Sequence, residues 1–253
     1  MPQHSGTSAG PATPLLRYPH LIRALVRREI ESQVKGTVLG AVWLIIGPLI
    51  MLSVYTLVFG VILGSRWQGQ TGHDFLFPLI YFSGLILFNC FFDGISRAPN
   101  LLRDNQSFVK KIVFPAEVFP YAAAGSALAR LSIGLALLAL FYFALLGLPP
   151  LSALTYPVIL MGLMLYSLGF TLAIAAVSAF FRDLAHLTGP LAMITMFLSP
   201  LFYPVSAVPA ALRPVIYLNP LTFALEASRN ALFFGQWPPA WAVLLYAALG
   251  WLV

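Results

Sequence analysis

The side chains able to do chemistry are few, and most of them are cations. Between two strongly apolar stretches lies Arg97–Pro120, RAPNLLRDNQSFVKKIVFPAEVFP, where Arg97, Arg103, Lys110 and Lys111 meet Asp104 and Glu117, with Asp93 just ahead. Near the N-terminus stand Arg23, Arg27 and Arg28. Guanidinium groups bind phosphate oxygens bidentately, so this set suits a diphosphate headgroup or, less selectively, anionic lipid. Arg182-Asp183 forms an isolated polar link, and Glu226 and Arg229 stand at a helical spacing that lets them pair. Arg130 falls inside an apolar run, where it either snorkels to an interface or lines a path. His73 and Asp74 have no third ligand nearby and read as a solvated loop, not a metal or acid/base site.

What is missing narrows the chemistry further. The chain has no GxxxxGK[ST] phosphate loop, so it does not bind ATP in that manner by itself. It has no HExxH and no cysteine cluster; the one cysteine, Cys90, sits in an apolar run and reads as a free core thiol. An intramembrane enzyme or proton-coupled carrier needs ionisable groups facing the bundle interior, and only Arg130 clearly qualifies. These residues predict no catalytic group, no metal and no cofactor held by the chain.

The elements that position these residues follow from composition. Of 253 residues, 60% are hydrophobic and 9% charged, and the mean hydropathy is +0.88. A soluble domain carries about 25% charged residues, so most of this surface must face lipid or apolar protein. The chain is a polytopic, all-α membrane protein. Its net charge of +6 matters less than its distribution, which argues for sidedness and not for nucleic acid.

Residues 1–17 are polar and rich in Pro, Gly and Ser at their start, and are expected to be disordered. Tyr18–Lys35 reads as an amphipathic helix lying on the membrane: Leu21, Ile22, Leu25, Val26, Ile30 and Val34 make one face, and Arg23, Arg27, Glu31 and Lys35 the other. Six spans are expected at about 38–63, 75–92, 121–146, 156–180, 187–203 and 237–253 within a transmembrane domain of residues 36–253. Pro48 should kink the first, and Gly162, Ser167, Gly169, Ala173 and Ala176 should let the fourth pack closely. Pro204–Pro239 is too punctuated by proline to span and predicts short re-entrant helices on the outer side, the second started by Asn219-Pro220. The sixth span is short, as if the chain stopped inside it.

Orientation follows from the basic residues near span ends. With both termini inside, ten of the fourteen Lys and Arg residues lie on the cytoplasmic side, including Arg97, Arg103, Lys110, Lys111 and Arg182, and only Arg66, Arg213 and Arg229 lie outside. The Arg97–Pro120 stretch is then intracellular, and its apolar Leu101, Leu102 and Phe108 call for a protein cover.

Several stretches together resemble the permease subunit of a type-2 ATP-binding-cassette exporter, in the branch that moves lipid-linked polysaccharides. They are KGTVLGAVWLIIGPLIM after the basic helix, NLLRDNQSFVKKIVFPAEVFP, the FRDL link, and SPLFYPVSAVP followed by LNPLTFALEASRNAL. Each is short and apolar; their joint order covers nearly the whole chain. The C-terminus departs from the family, which completes a sixth span and a short basic tail.

The resemblance implies a homodimer in the bacterial inner membrane on two separate ATP-binding subunits, which hold the ATP and magnesium. It implies a polyprenyl-diphosphate-linked glycan of O-antigen, capsule or teichoic-acid type as cargo. In residues, it implies a coupling helix at Asn100–Lys111, with Leu101, Leu102, Arg103, Asp104, Phe108, Lys110 and Lys111 meeting the ATPase and Arg182-Asp183 as a shorter contact. Phe114–Pro120 resembles the family's turn into the third span, where Glu117 either pairs with the basic helix or acts as a helix-start acid. Two readings compete with the glycan exporter: a type-2 permease for a drug, heme or lipid, and a membrane enzyme acting on polyprenyl lipids.

Overall fold

The computed structural model describes residues 13–36, 38–62, 76–106, 115–181 and 183–252. Phe108, Lys110, Lys111, Arg182 and the loop bearing His73 and Asp74 lie outside these, as do residues 1–12. Among the described residues the chain is helical and has no strand. After a short helix, α1 (Thr13–Arg17), come the basic helix α2 (Pro19–Val34), then α3 (Trp43–Tyr55), α4 (Leu76–Arg97), the short α5 (Leu101–Asp104) and α6 (Val118–Leu145). The second half contains α7 (Tyr156–Ser178), α8 (Leu184–Phe197), α9 (Arg213–Leu218), α10 (Pro220–Phe233) and α11 (Ala240–Leu252).

Three helical stretches are long and apolar enough to cross a membrane: Leu76–Asp104, Val118–Leu145 and Leu151–Ser178. At 1.5 Å per residue each is on the order of 40 Å long, more than the ~30 Å of hydrocarbon. Three shorter apolar helices, Trp43–Val58, Leu184–Phe197 and Ala240–Leu252, occupy the positions of the other expected spans. The first of these is irregular throughout: a 3₁₀ turn at Gly40–Val42 opens it, Pro48 sits within α3, and a π-helical segment, Thr56–Ile62, closes it.

The first of the three long stretches runs further than the apolar run alone predicts. It continues past Phe92 through Asp93 and Arg97, and a 3₁₀ turn at Ala98–Asn100 carries it without a break into α5. The start of the polar stretch is therefore the end of a span. Helix α4 is the axle of the fold, with 78% of its most apolar stretch buried against 22% for α6, and it packs on α6, α7 and α10. Its aromatic face meets Tyr156, Ile159, Leu163, Leu221 and Leu225 in the main core.

Small residues set the closest approaches. A Cβ on Gly162 would lie 2.7 Å from the Tyr246 ring and one on Gly250 2.9 Å from the Gly162 carbonyl, so α7 and α11 touch almost backbone to backbone. Ser167 donates to the Phe91 carbonyl (2.8 Å), tying α7 to α4. A Cβ on Gly125 would come within 2.6 Å of Val26, which is how α2 seats on α6. The apolar stripe of α2 is accordingly covered by protein: Ile22 and Leu25 pack with Val118, Phe119, Tyr121 and Ala122.

Beyond α8 the chain folds back on α10. Asn219 caps α10 by accepting from the Leu221 N–H (3.0 Å), and its amide donates to Ser199 (2.8 Å). Leu221, Ala224, Leu225 and Ala231 are fully buried, so α10 is a core element as much as a surface one.

Candidate functional site

The charged residues converge where α2, α4 and α6 meet. Asp93 and Arg97 are one helical turn apart on α4 and pair through Asp93 Oδ2 and Arg97 Nη2 at 2.5 Å. Arg130, from α6, binds the same Asp93 oxygen through Nη2. Arg97 also pairs through Nη1 with Glu29 of α2. Ser126 lies between the two guanidinium groups, accepting from Arg97 (3.1 Å) and Arg130 (3.3 Å). Each of the four charged side chains is only about a quarter exposed. Two carboxylates and two guanidinium groups sum to zero, which is what allows them to sit this deep.

By sequence, only Arg130 falls inside an apolar run; the structure brings Asp93 and Arg97 to it and supplies the acid that Arg130 lacks. Arg130 thus turns inward to Asp93. The signal was present as the pair Asp93/Arg97 at a helical spacing, but it stood at the edge of a hydropathy window.

Two members of this network, Asp93 and Arg130, line a cavity of about 540 Å³ between α3, α4 and α6. Trp43, Leu44 and Pro48 line it from α3, Arg130, Leu131 and Ile133 from α6, and Phe88, Asn89, Asp93 and Ser96 from α4.

Residues 20–233, most of the chain, match the family described as ABC-2 type transporter. The chain belongs to that family. It is a transporter membrane subunit and not an enzyme. Over 222 residues it is 27% identical to the O-antigen export system permease protein RfbA of Myxococcus xanthus, covering 87% of this chain and 82% of that protein. It is 22% identical over 227 residues to a protein of the same name from Klebsiella pneumoniae, covering 89% and 85%.

The other expected site residues of this ABC-2 subunit fall into three groups. On α2, Arg23, Arg27 and Arg28 are exposed. Arg27 bonds Glu31 (2.6 Å), which raises its pKa further above the range where it could lose its proton. Arg28 donates to Asn105 (2.7 Å), so α2 is tied to the chain just past α5. On α5, Leu101 and Leu102 are half-buried against the α2–α6 cluster, whereas Arg103 and Asp104 are exposed. Glu117 is exposed and immediately precedes α6, with no side-chain cap bond. Asp183 occupies the corresponding place before α8, also exposed.

The third group lies on α10. Arg229 is buried and donates to the Pro200 carbonyl (2.7 Å), with Glu226 at 3.7 Å. Burial lowers its pKa to about 10 against the pull of Glu226, so it remains a cation at neutral pH. Glu226 also accepts from the Val205 N–H (3.4 Å). The two residues pin the turn after α8 to α10.

Proposed function

We propose that this chain is the membrane-spanning half of an ATP-driven exporter that moves a polyprenyl-diphosphate-linked glycan of the O-antigen type from the cytoplasm across the inner membrane. The observation that carries the reading is that its relatives named O-antigen export permeases align over nearly nine tenths of the chain. In this reading six segments cross the bilayer, α1 and α2 lie at the cytoplasmic face, and α9 and α10 belong to the outer side. Two copies share two ATP-binding subunits, which bind ATP and magnesium.

Coupling to the ATPase falls to the exposed groups of the segment after α4. These are Arg103 and Asp104; Phe108, Lys110, Lys111 and Arg182, outside the described residues, are assigned to the same role, with Arg182-Asp183 as the smaller contact. Leu101 and Leu102 support that surface from behind, since their packing partners are on α2 and α6. Arg23, Arg27 and Arg28 face outward on α2, and we assign them to the cargo's diphosphate as it arrives from the cytoplasm.

The test is genetic and biochemical together. Cells lacking the chain should accumulate the polyprenyl-linked glycan on the cytoplasmic side. Membranes holding the chain alone should neither bind nor hydrolyse ATP, and co-expression with the ATPase should restore hydrolysis. Transport by the isolated chain driven by a proton gradient would overturn the reading.

A further inference from the structure

Helix α4 carries a polar stripe that its packing uses only in part. From Phe77 to Phe92 every residue is buried except Asn89, which is exposed in the middle of the helix. Asn89, Asp93 and Ser96 follow one another at steps of four and three, so they share a face, and all three line the 540 Å³ cavity. Asn89 makes no hydrogen bond among the described residues, although its amide offers both donors and an acceptor. Beside Asp93, Arg130 spends Nη2 on Asp93 and Ser126. Polar groups at membrane depth are expensive and face a watery or ligand-filled space.

The chemistry of the lining selects the class of ligand. The network of Glu29, Arg97, Asp93 and Arg130 is already neutral, so an anion brought against it would be buried without a counter-charge. A neutral molecule rich in hydroxyl groups has no such cost. It can exchange hydrogen bonds with Asn89 and donate to the Asp93 carboxylate. Trp43 and Phe88 offer flat apolar faces in the same space, to which the C–H face of a pyranose is complementary. The volume lies within the roughly 300–1,000 Å³ range of ligand pockets.

We propose that the cavity between α3, α4 and α6 is a binding site, inside each subunit, for neutral sugar residues of the transported glycan. Asn89 and Asp93 provide its hydrogen bonds, and Arg130 holds the Asp93 carboxylate in place. The inference rests on the exporter reading and goes beyond it by naming the part of the cargo recognised and where.

The test uses the full complex with its ATPase in lipid nanodiscs, carrying Cys90→Ala with Ile133→Cys as a reporter on the cavity wall. Leu44→Cys on the facing wall serves if the first variant does not fold. Reaction with a small water-soluble maleimide is timed with and without the native polyprenyl-diphosphate-linked glycan, or with the same polyprenyl diphosphate bearing no sugar. The glycan-bearing lipid at about ten times its Kd should slow labelling roughly tenfold, and the bare lipid should not. Equal protection by both would overturn the proposal, because a prenyl chain would then fill the space. So would no protection in nanodiscs where the glycan-bearing lipid still stimulates ATP hydrolysis, an outcome that leaves the exporter reading standing. Absence of that stimulation would instead remove the exporter reading, and the sugar site with it.

Discussion

Asp93 holds two guanidinium groups on one oxygen, so its neighbours are unequal in what their loss would do. Arg130→Met removes one of its two cations and leaves the site with an excess negative charge at membrane depth. Breaking a buried ion pair from one side costs about 3–5 kcal/mol, and the quarter exposure here argues for the lower end. Asp93→Asn leaves Arg130 without its acid, since Arg97 keeps Glu29, and should cost about as much. The double variant should lose less than the sum of the singles, by roughly 1–2 kcal/mol of coupling. Thermal unfolding of the detergent-solubilised protein, scored across all four combinations, reads this directly; additive losses would mean the pair does not interact. Asn219→Ala is a milder test at the same scale. It removes the α10 cap and should cost about 1 kcal/mol, and because Asn219 also donates to Ser199 the loss should not fall below that of a simple cap.

At the scale of elements, two glycines decide which helices meet. Gly125→Leu would drive a side chain into Val26 and lift α2 off α6, carrying with it the Glu29–Arg97 contact. Overpacking of this kind costs about 1–3 kcal/mol. The readout that separates it from general destabilisation is faster protease cleavage within α2 than elsewhere in the chain. Gly162→Leu meets the Tyr246 ring and the Ala247 backbone. Ring and backbone cannot both give way, so that variant should loosen α11 and lower the unfolding temperature further than Gly125→Leu does. Expectation and structure diverge at this scale over α2. Its apolar stripe is evident from three- and four-residue steps, but periodicity says only that the stripe is covered and not by what. Lipid and the face of α6 present the same apolar surface to a sequence.

At the scale of the whole molecule, the proposed docking of a motor on the exposed charges after α4 can be tested by reversing them. Arg103→Glu with Asp104→Lys reverses both exposed groups of α5 while leaving the half-buried Leu101 and Leu102 in place. Co-purification of the ATPase should fall by about tenfold or more, since like charges set against each other at an interface cost several kcal/mol. Insertion and thermal stability of the subunit should stay near wild type. Unchanged co-purification would take the coupling role away from α5. Because α4 and α5 are one continuous helical stretch, Leu76–Asp104, force applied at Arg103 has a direct path to Asp93 and Asn89 without crossing a hinge.

The sequence by itself determined the class of the protein. So few charges over this length leave no soluble surface, and the order of its motifs matched a transporter family whose profile then covered residues 20–233. It also determined where most helices lie, because apolar runs and proline punctuation act locally. Only the tertiary structure decided what the ionisable residues do. Asp93 read as a loop acid because hydropathy counts each charge as a cost. In the fold that cost is offset by Arg97 one turn along the helix and by Arg130, 37 positions away in sequence, whose approach depends on how α4 and α6 pack. The same packing leaves Asn89 exposed beside a cavity. A charge balance closed across three helices is not a property of any one segment, and so no reading of segments could contain it.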